Sequence, residues 1–202
     1  MAVRAERKRV TKCPEERREE LLNAAAGVFA TKGVSRTTVA DITAAAGVAK
    51  GTFYLYFESK EHLLAELKER FVDQILAHAG RLYERVGRDD WWALVDETVM
   101  SFVDFMDQHR SIIQIMVQER ITPETSLQFA ECDRKVDEVF ASGIRAGVEA
   151  GAFRTGDPEL MARFLHHALD GALTRAILYE DHFDRSRLIA GAQEMAHKAL
   201  AP

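Results

Sequence analysis

Apolar residues recur at intervals of three and four along most of this chain, which is the period of an amphipathic α-helix. The first such segment opens with Pro14 and two acidic residues, and it closes with Lys32 and Gly33, a basic last turn followed by a glycine cap. The pattern therefore predicts a helix over residues 14–32. Its apolar positions are Leu21, Leu22, Ala25, Val28 and Phe29.

The chain beyond residue 58 continues in the same period, with few β-branched alternations and only four prolines in the whole sequence. This pattern predicts an all-α fold. The segment after Asp89 or Asp90 is apolar around more than half of its circumference, which predicts a helix in the centre of the core. The predicted helices begin at Ser59, Asp89 or Asp90, Arg110, Thr122-Pro123, Asp157-Pro158 and Asp184, and they end near Val86, His109, Val117, Gly151, Tyr179 and Leu200.

The stretch from Thr37 to Phe57 interrupts these long helices and reads TTVADITAAAGVAKGTFYLYF. Thr37 or Thr38 caps a short helix, and Gly47 supplies the left-handed backbone that ends it. A second short helix follows at once, with Phe53 and Phe57 spaced to bury against the first. Two short helices joined in this way form a helix-turn-helix. The face predicted to point inward on the first helix comprises Val39, Ile42, Ala45 and Ala46.

This stretch resembles the tetracycline-repressor (TetR) family of bacterial transcriptional regulators. The resemblance is specific over about residues 14–65 and rests beyond them on length and helical pattern. Thr43 stands where the family usually has a small apolar residue, and Ala49 stands where a capping serine is common. The resemblance implies an N-terminal three-helix DNA-binding domain followed by a helical domain for ligand binding and dimerisation. The matching residues are Thr38, Ile42, Ala46, Gly47, Val48, Gly51, Tyr54, Tyr56, Phe57, Lys60 and Glu61.

Charge is distributed unevenly along the chain. The net charge of the 202 residues is −5, yet residues 1–60 hold 11 Lys and Arg against 7 Asp and Glu, and residues 61–202 hold 16 against 25. Because residues 1–60 are basic and the rest of the chain is acidic, DNA is favoured as the partner of residues 1–60. We therefore predict a basic flexible arm at 1–13, a helix-turn-helix domain at 14–60 and an effector-binding and dimerisation domain at 61–202. The arm either stays solvated or folds onto DNA.

DNA recognition is predicted to combine phosphate contacts with base contacts. Gly51 lets the backbone approach the duplex, and Thr38 and Tyr54 are placed to bond phosphate oxygens. Lys60 begins a helix, where its ammonium and the helix dipole together favour a phosphate, although a plain surface lysine is the alternative. Lys50 is predicted to make the main contact with the edges of the bases. The predicted DNA-binding set is Arg36, Thr38, Lys50, Gly51, Thr52, Tyr54, Leu55, Tyr56 and Lys60.

The last two predicted helices carry apolar stripes that are wider than one subunit readily covers. We therefore predict a four-helix interface in a homodimer, as the family resemblance also implies. Such a dimer places two recognition helices in successive major grooves about 34–36 Å apart, on a palindromic operator in double-stranded DNA. The predicted interface residues are Phe164, Ala168, Ala172, Ala176, Leu188, Ala192 and Met195.

The central part of the chain is dense in Phe, Met and Trp, which suit either a solid core or the wall of an adaptable apolar pocket. We predict a pocket for a small, largely apolar effector, with a histidine as a polar anchor. The predicted effector-binding residues are Phe102, Phe105, Met106, His109, Met116, Phe140, His166 and His167.

Catalytic chemistry has little support in the sequence. No GxSxG, HExxH, Walker or GxGxxG motif is present, so we expect no enzyme activity and no cofactor. His167 and Asp170 share a helix face, but adjacent histidines diverge by about 100°, so no metal site is predicted. With two cysteines, no secretory segment and no long apolar run, the protein is expected in the cytoplasm.

The sequence thus predicts a ligand-responsive transcriptional regulator, in the first place a repressor that an effector releases from its operator. A regulator that activates, or one that responds to a protein or to a redox cue through Cys132, is the alternative within the class. Outside it stand a metal-dependent helical-bundle enzyme and an effector-free DNA-binding protein.

Overall fold

The computed structural model describes residues 13–86, 90–118, 123–180 and 182–202, apart from the side chains of residues 118 and 123–125. Within these ranges the chain forms helices and no strand, which confirms the all-α prediction. The predicted arm lies outside the described residues except for Cys13, as do Asp89 and Thr122. The helices are α1 (Pro14–Lys32), α2 (Val39–Ala45), α3 (Lys50–Phe53), α4 (Lys60–Val86), α5 (Trp91–Gln108), α6 (Arg110–Gln118), α7 (Pro123–Glu149), α8 (Pro158–Tyr179) and α9 (Arg185–Leu200).

The chain divides within α4 into two compact units, Met1–Leu63 and Leu64–Pro202. The first unit contains α1, α2 and α3. Its core is formed by Leu21, Leu22 and Phe29 from α1, Ile42 from α2 and Phe53 from α3, all 0–1% exposed. Gly33 ends α1 with a φ of 75°, and Gly47 follows α2 with a φ of 66°, so both glycines hold the left-handed backbone that their positions require.

The inward face of α2 differs from the prediction in two residues. Ala45 is exposed and Thr43 is buried. The Thr43 hydroxyl donates to the carbonyl oxygens of Val39 at 3.0 Å and Ala40 at 3.2 Å. Because these bonds satisfy the hydroxyl within the helix, its burial leaves no unpaired polar group.

The second unit is built around α5, on which only Met100 and Gln108 are exposed. This confirms that the most apolar predicted helix is central. Helix α5 packs against α6, α8 and α9, and α7 lies along α8. Aspartates cap three of these helices at their first turns, with Asp90, Asp157 and Asp184 accepting from the backbone N–H three residues on.

Helix α8 has a buried side and an exposed side, each formed by residues spaced four positions apart. Leu169, Leu173 and Ile177 are buried, whereas Phe164 is 61% exposed in the single chain. Together α8 and α9 form an open groove of about 400 Å³. Of the predicted dimer residues, Phe164, Ala168, Ala172 and Met195 are exposed, Leu188 is half-buried, and Ala176 and Ala192 are buried.

Candidate DNA-binding and effector-binding sites

A capping box fixes the start of α2. The Thr38 hydroxyl oxygen accepts from the backbone N–H of Asp41 at 3.2 Å, and Asp41 Oδ2 accepts from the Thr38 N–H at 2.9 Å. The hydroxyl also donates to the Asp41 carboxylate at 2.8 Å. Thr38 therefore caps α2, as one of the two capping residues named from the sequence, and its phosphate contact stays a prediction.

The recognition segment has a buried side and an exposed side. Phe53 and Phe57 are buried with ring centroids 5.5 Å apart, whereas Leu55 is 79% exposed and Tyr54 is exposed beside it. Helix α3 ends at Phe53, earlier than predicted, but hydrogen bonds from Tyr56 N and Phe57 N to the Phe53 carbonyl continue the turn. Ala49 caps α3 without a side-chain hydrogen bond, as its sequence implies. The buried aromatics thus hold an exposed turn in a fixed orientation.

Two predicted DNA-binding residues have partners inside the first unit. Lys60 Nζ donates to the carbonyl oxygens of Val34 at 2.7 Å and Thr37 at 3.1 Å, and thereby holds the loop between α1 and α2. Arg36 Nε donates to the Lys32 carbonyl at 2.8 Å, while the residue stays exposed. The structure thus gives the Lys60 ammonium backbone partners within this unit, and its phosphate contact stays a prediction. Lys50 and Gly51 are exposed, and Thr52 and Tyr56 are half-buried.

The second unit contains a largely apolar cavity of about 570 Å³. Helix α4 contributes one wall through Ile75, Ala79 and Leu82, and α5 and α7 contribute most of the others. A volume in this range suits a drug-sized ligand. Three of the eight predicted effector residues line it: Phe102, Phe105 and Phe140.

The other five predicted effector residues lie outside this lining. Met106 belongs to the core cluster, and Met116 packs against that cluster. The His109 ring stacks on Phe105 at 4.2 Å, and its Nδ1 lies 2.7 Å from the Phe105 carbonyl oxygen. His166 and His167 face α7 instead, where they meet Asp137.

Polar groups in the cavity wall are few, and none of them was among the residues predicted from the sequence. His78 Nε2 lies 2.5 Å from Ser101 Oγ, and Thr98 and Tyr83 also line the cavity. Burial lowers the pKa of His78 below its usual value, and Arg81 and Arg85 add to the effect, so the ring is neutral at pH 7. His78 stands three residues after Ile75 on the inner face of α4, and this helical spacing was the signal available in the sequence.

Cys132 is buried, and burial raises the pKa of its thiol above the usual value. A thiol in that state carries little thiolate at neutral pH and reacts slowly. The burial of Cys132 therefore weighs against the redox alternative raised by the sequence.

Known protein families match the N-terminal and the C-terminal parts of the chain separately. The profile described as bacterial regulatory proteins of the tetR family matches residues 21–67, and a tetracyclin repressor-like C-terminal domain matches residues 89–174. A curated relative, the HTH-type transcriptional repressor KstR2 of Rhodococcus jostii (strain RHA1), is 34% identical over 154 residues, which is 74% of each chain. The chain belongs to the TetR family of bacterial regulatory proteins.

Other TetR-family proteins resemble the chain over most of its length. KstR2 of Mycobacterium tuberculosis (strain ATCC 25618 / H37Rv) is 29% identical over 74% of this chain and 76% of its own. The structure of SmeT, the repressor of the Stenotrophomonas maltophilia multidrug efflux pump SmeDEF, aligns with a TM-score of 0.75 and 25% identity over 92% of this chain and 90% of its own. A TetR-family regulator from Syntrophomonas wolfei aligns with a TM-score of 0.79 and 22% identity over 91% and 94%.

Membership of the TetR family confirms the prediction of a ligand-responsive, DNA-binding transcriptional regulator. TetR-family proteins bind DNA and small-molecule effectors, are typically dimeric and are generally not enzymes. Among the described residues, no helix is long and apolar enough to cross a membrane.

Proposed function

We propose that this chain is a homodimeric transcriptional repressor that binds a palindromic operator and leaves it when a largely apolar small molecule fills the cavity of the second unit. The main support for the proposal is that the recognition turn has a buried inner side and an exposed outer side. Buried Phe53 and Phe57 fix its inner side, and Lys50, Tyr54 and Leu55 remain exposed on its outer side.

Each exposed side chain of this turn has a counterpart on B-DNA. The Lys50 ammonium is suited to the guanine O6 and N7 acceptors, and Leu55 is suited to a thymine methyl group in the major groove. The Tyr54 hydroxyl is suited to a phosphate oxygen, and Gly51 leaves room for the backbone to approach the duplex. A bond from Tyr54 to phosphate fixes register, whereas Lys50 and Leu55 select the sequence.

Repression, rather than activation, is supported by the curated relatives. KstR2 of Rhodococcus jostii and its mycobacterial counterparts are named as repressors and match about three quarters of this chain. Because the operator lies on chromosomal DNA, we place the repressor in the cytoplasm.

Dimerisation is supported by the surface that α8 and α9 leave uncovered. Phe164 and Met195 are exposed together with a row of small residues at Ala168 and Ala172, which lets a second helix pair approach closely. The groove between α8 and α9 receives the same elements of a second copy in an isologous interface.

The effector class is inferred from the cavity. Its walls are mainly aliphatic and aromatic, so most of the ligand surface is apolar. The neutral His78 and Ser101 pair offers one hydrogen-bonding site to a hydroxyl, carbonyl or carboxyl group of that ligand. A cavity of this size weighs against a DNA-binding protein without an effector.

Helix α4 connects DNA binding with effector binding, because this one continuous helix has residues in both units. Its first residue, Lys60, bonds the loop between α1 and α2, and its later residues Ile75, His78 and Leu82 line the cavity. Release of DNA by a ligand would then act through α4, the helix that the two units share. By linkage, effector and operator weaken each other's binding, typically by about 1–3 kcal/mol.

The test combines a selection with a titration. Binding-site selection from random double-stranded DNA gives the operator, and a thermal-shift screen of apolar small molecules gives ligands that stabilise the protein. Each stabilising ligand is then titrated into the operator complex at fixed salt. We expect a palindromic consensus and a ligand that lowers operator affinity by about 5–150-fold. Stabilising ligands that leave operator affinity unchanged would contradict release by an effector.

A further inference from the structure

Two adjacent histidines of α8 and one aspartate of α7 form a compact cluster in the second unit. Asp137 Oδ1 lies 2.7 Å from His166 Nδ1 and 3.6 Å from His167 Nε2. One ligand atom from each residue lies within 4.8 Å of the other two. We propose that Asp137, His166 and His167 bind one Zn²⁺ ion where α7 and α8 meet.

The distances from Asp137 to the two histidine nitrogens are close to those around a tetrahedral ion. Zinc binds imidazole nitrogen and carboxylate oxygen at about 2.0–2.2 Å, which puts neighbouring ligand atoms about 3.4 Å apart. The two Asp137 distances lie on either side of that value. An ion among the three atoms therefore needs a small opening of the contact between Asp137 and His166, because 2.7 Å is shorter than the spacing of two zinc ligands.

Asp137 on the facing helix α7 allows both histidines to share one ion, although adjacent side chains on a helix point in different directions. His166 and His167 leave α8 about 100° apart, so they share no ligand on their own helix. Asp137 reaches them from α7, and the two rings turn toward it until their centroids are 4.7 Å apart. The metal site is thus a product of the contact between α7 and α8, which explains why spacing along the sequence predicted none.

Burial gives the cluster a rigid wall and an open side. His166 is buried, with its ring stacked on Phe140 at 5.1 Å and edge-on to Phe102 at 6.0 Å. The Asp137 side chain is 17% exposed, and the His167 side chain is 48% exposed. The half-exposed His167 gives an ion a path of entry, and three protein ligands leave the fourth position to water.

The donor set selects the class of ion. Two imidazoles and one carboxylate suit zinc and its neighbours in the first transition series, whereas Ca²⁺ and Mg²⁺ prefer oxygen ligands alone. Arg163 Nε lies 3.5 Å from Asp137 Oδ2, but the Arg163 side chain is 63% exposed and is free to turn into solvent when an ion arrives. Asp137 Oδ1 therefore remains available as a ligand.

Zinc at this position would act next to the effector cavity. Phe102 and Phe140, which pack on His166, both line that cavity. An ion that fixes His166 also fixes these two rings and joins α7 to α8. Zinc binding would therefore change the shape of the wall that the effector meets.

The experiment uses the full chain without a histidine tag, treated with chelator and then dialysed. Calorimetric titration with ZnCl₂ is expected to show one ion per chain, and Co²⁺ is expected to give the visible absorption of a tetrahedral site. His167→Ala is expected to weaken zinc binding at least about tenfold, since even outer-shell partners are worth that much. Asp137→Asn, which keeps the side-chain shape, is expected to weaken it likewise.

His182→Ala is the matched control, because it removes an exposed histidine of the same unit outside the cluster. Zinc is also expected to raise the melting temperature of the wild-type chain and of His182→Ala, but not that of His167→Ala. A wild-type chain that binds no zinc would overturn the proposal. So would zinc binding of equal strength in His167→Ala and Asp137→Asn, because the ion would then lie elsewhere.

Discussion

Lys32 Nζ lies 2.7 Å from Asp41 Oδ1, and this ion pair joins the last turn of α1 to the first turn of α2. The other oxygen of the same carboxylate accepts the backbone N–H and the hydroxyl of Thr38. The Lys32 ammonium, helped by the bonds from Thr38, holds the pKa of Asp41 well below its usual range. One carboxylate thus fixes both the start of α2 and its position against the supporting helix.

The first prediction concerns the acid sensitivity of this pair. A carboxyl group whose pKa is lowered by folding stabilises the folded state above its ordinary pKa near 3.8, and that stabilisation is lost as the pH falls. We expect Asp41→Asn to melt at a lower temperature than the wild type at pH 7, and the difference to shrink below about pH 4. Thermal unfolding followed by circular dichroism across pH measures both.

Glu194→Gln is the control for this measurement, because Glu194 also pairs with a lysine, Lys198, but on the exposed face of α9. An exposed i,i+4 pair contributes little to stability. A loss of melting temperature in Glu194→Gln as large as in Asp41→Asn would show that the Lys32 pair has no special role.

The second prediction concerns Lys50 on α3. If its ammonium contacts a base edge, Lys50→Ala weakens operator binding by about 1–3 kcal/mol and changes binding to random DNA much less. Fluorescence anisotropy on both duplexes at one salt concentration measures the two effects. Lys198→Ala, which removes a lysine from α9, is expected to leave both affinities unchanged. An equal loss on operator and random DNA would assign Lys50 to the phosphate backbone.

The third prediction concerns the cavity. Gly143 lies on α7 in the cavity wall, and a Cβ atom built on it meets no atom within 4 Å. Gly143→Phe should therefore fill part of the cavity without a backbone clash, and should weaken the effector response at least about tenfold while operator binding persists. Gly143→Ala is the matched control, which is expected to keep the response and to gain about 1 kcal/mol in stability from helix propensity. An unchanged response in Gly143→Phe would place the effector elsewhere.

The fourth prediction concerns the surface of α8. In a two-fold interface each substitution occurs twice, so Phe164→Glu brings two like charges to a surface that an apolar partner should cover. We expect this variant to sediment as a monomer at micromolar concentration, where the wild type sediments as a dimer. Leu127→Glu, which replaces a still more exposed apolar residue on α7, should stay dimeric. A dimeric Phe164→Glu chain would locate the interface on other helices.

The helices were predictable because their signals are local. Pro14, Asp157 and Asp184 mark helix starts through caps and fixed backbone angles, and each acts within one turn of the chain. The same holds for the turn at Gly47, whose positive φ a glycine adopts without strain. These features need no knowledge of what packs against them.

The cavity and the polar clusters depend on how distant helices meet, which the sequence does not state. Met106 and Phe102 belong to the same core cluster, yet only Phe102 of the two also borders the cavity. The contact between His166 and Asp137 joins α8 to α7, and the contact between His78 and Ser101 joins α4 to α5. Periodicity marks the inward face of a helix, but it does not distinguish filled space from empty space.

Recognition of one specific DNA sequence by this chain can be measured by equilibrium titration. The purified protein is titrated at about 150 mM salt against the palindromic duplex obtained by binding-site selection and against a scrambled duplex of the same composition. We expect at least about 10³-fold tighter binding to the selected duplex, as for specific DNA-binding proteins generally. Equal affinity for the two duplexes would contradict it.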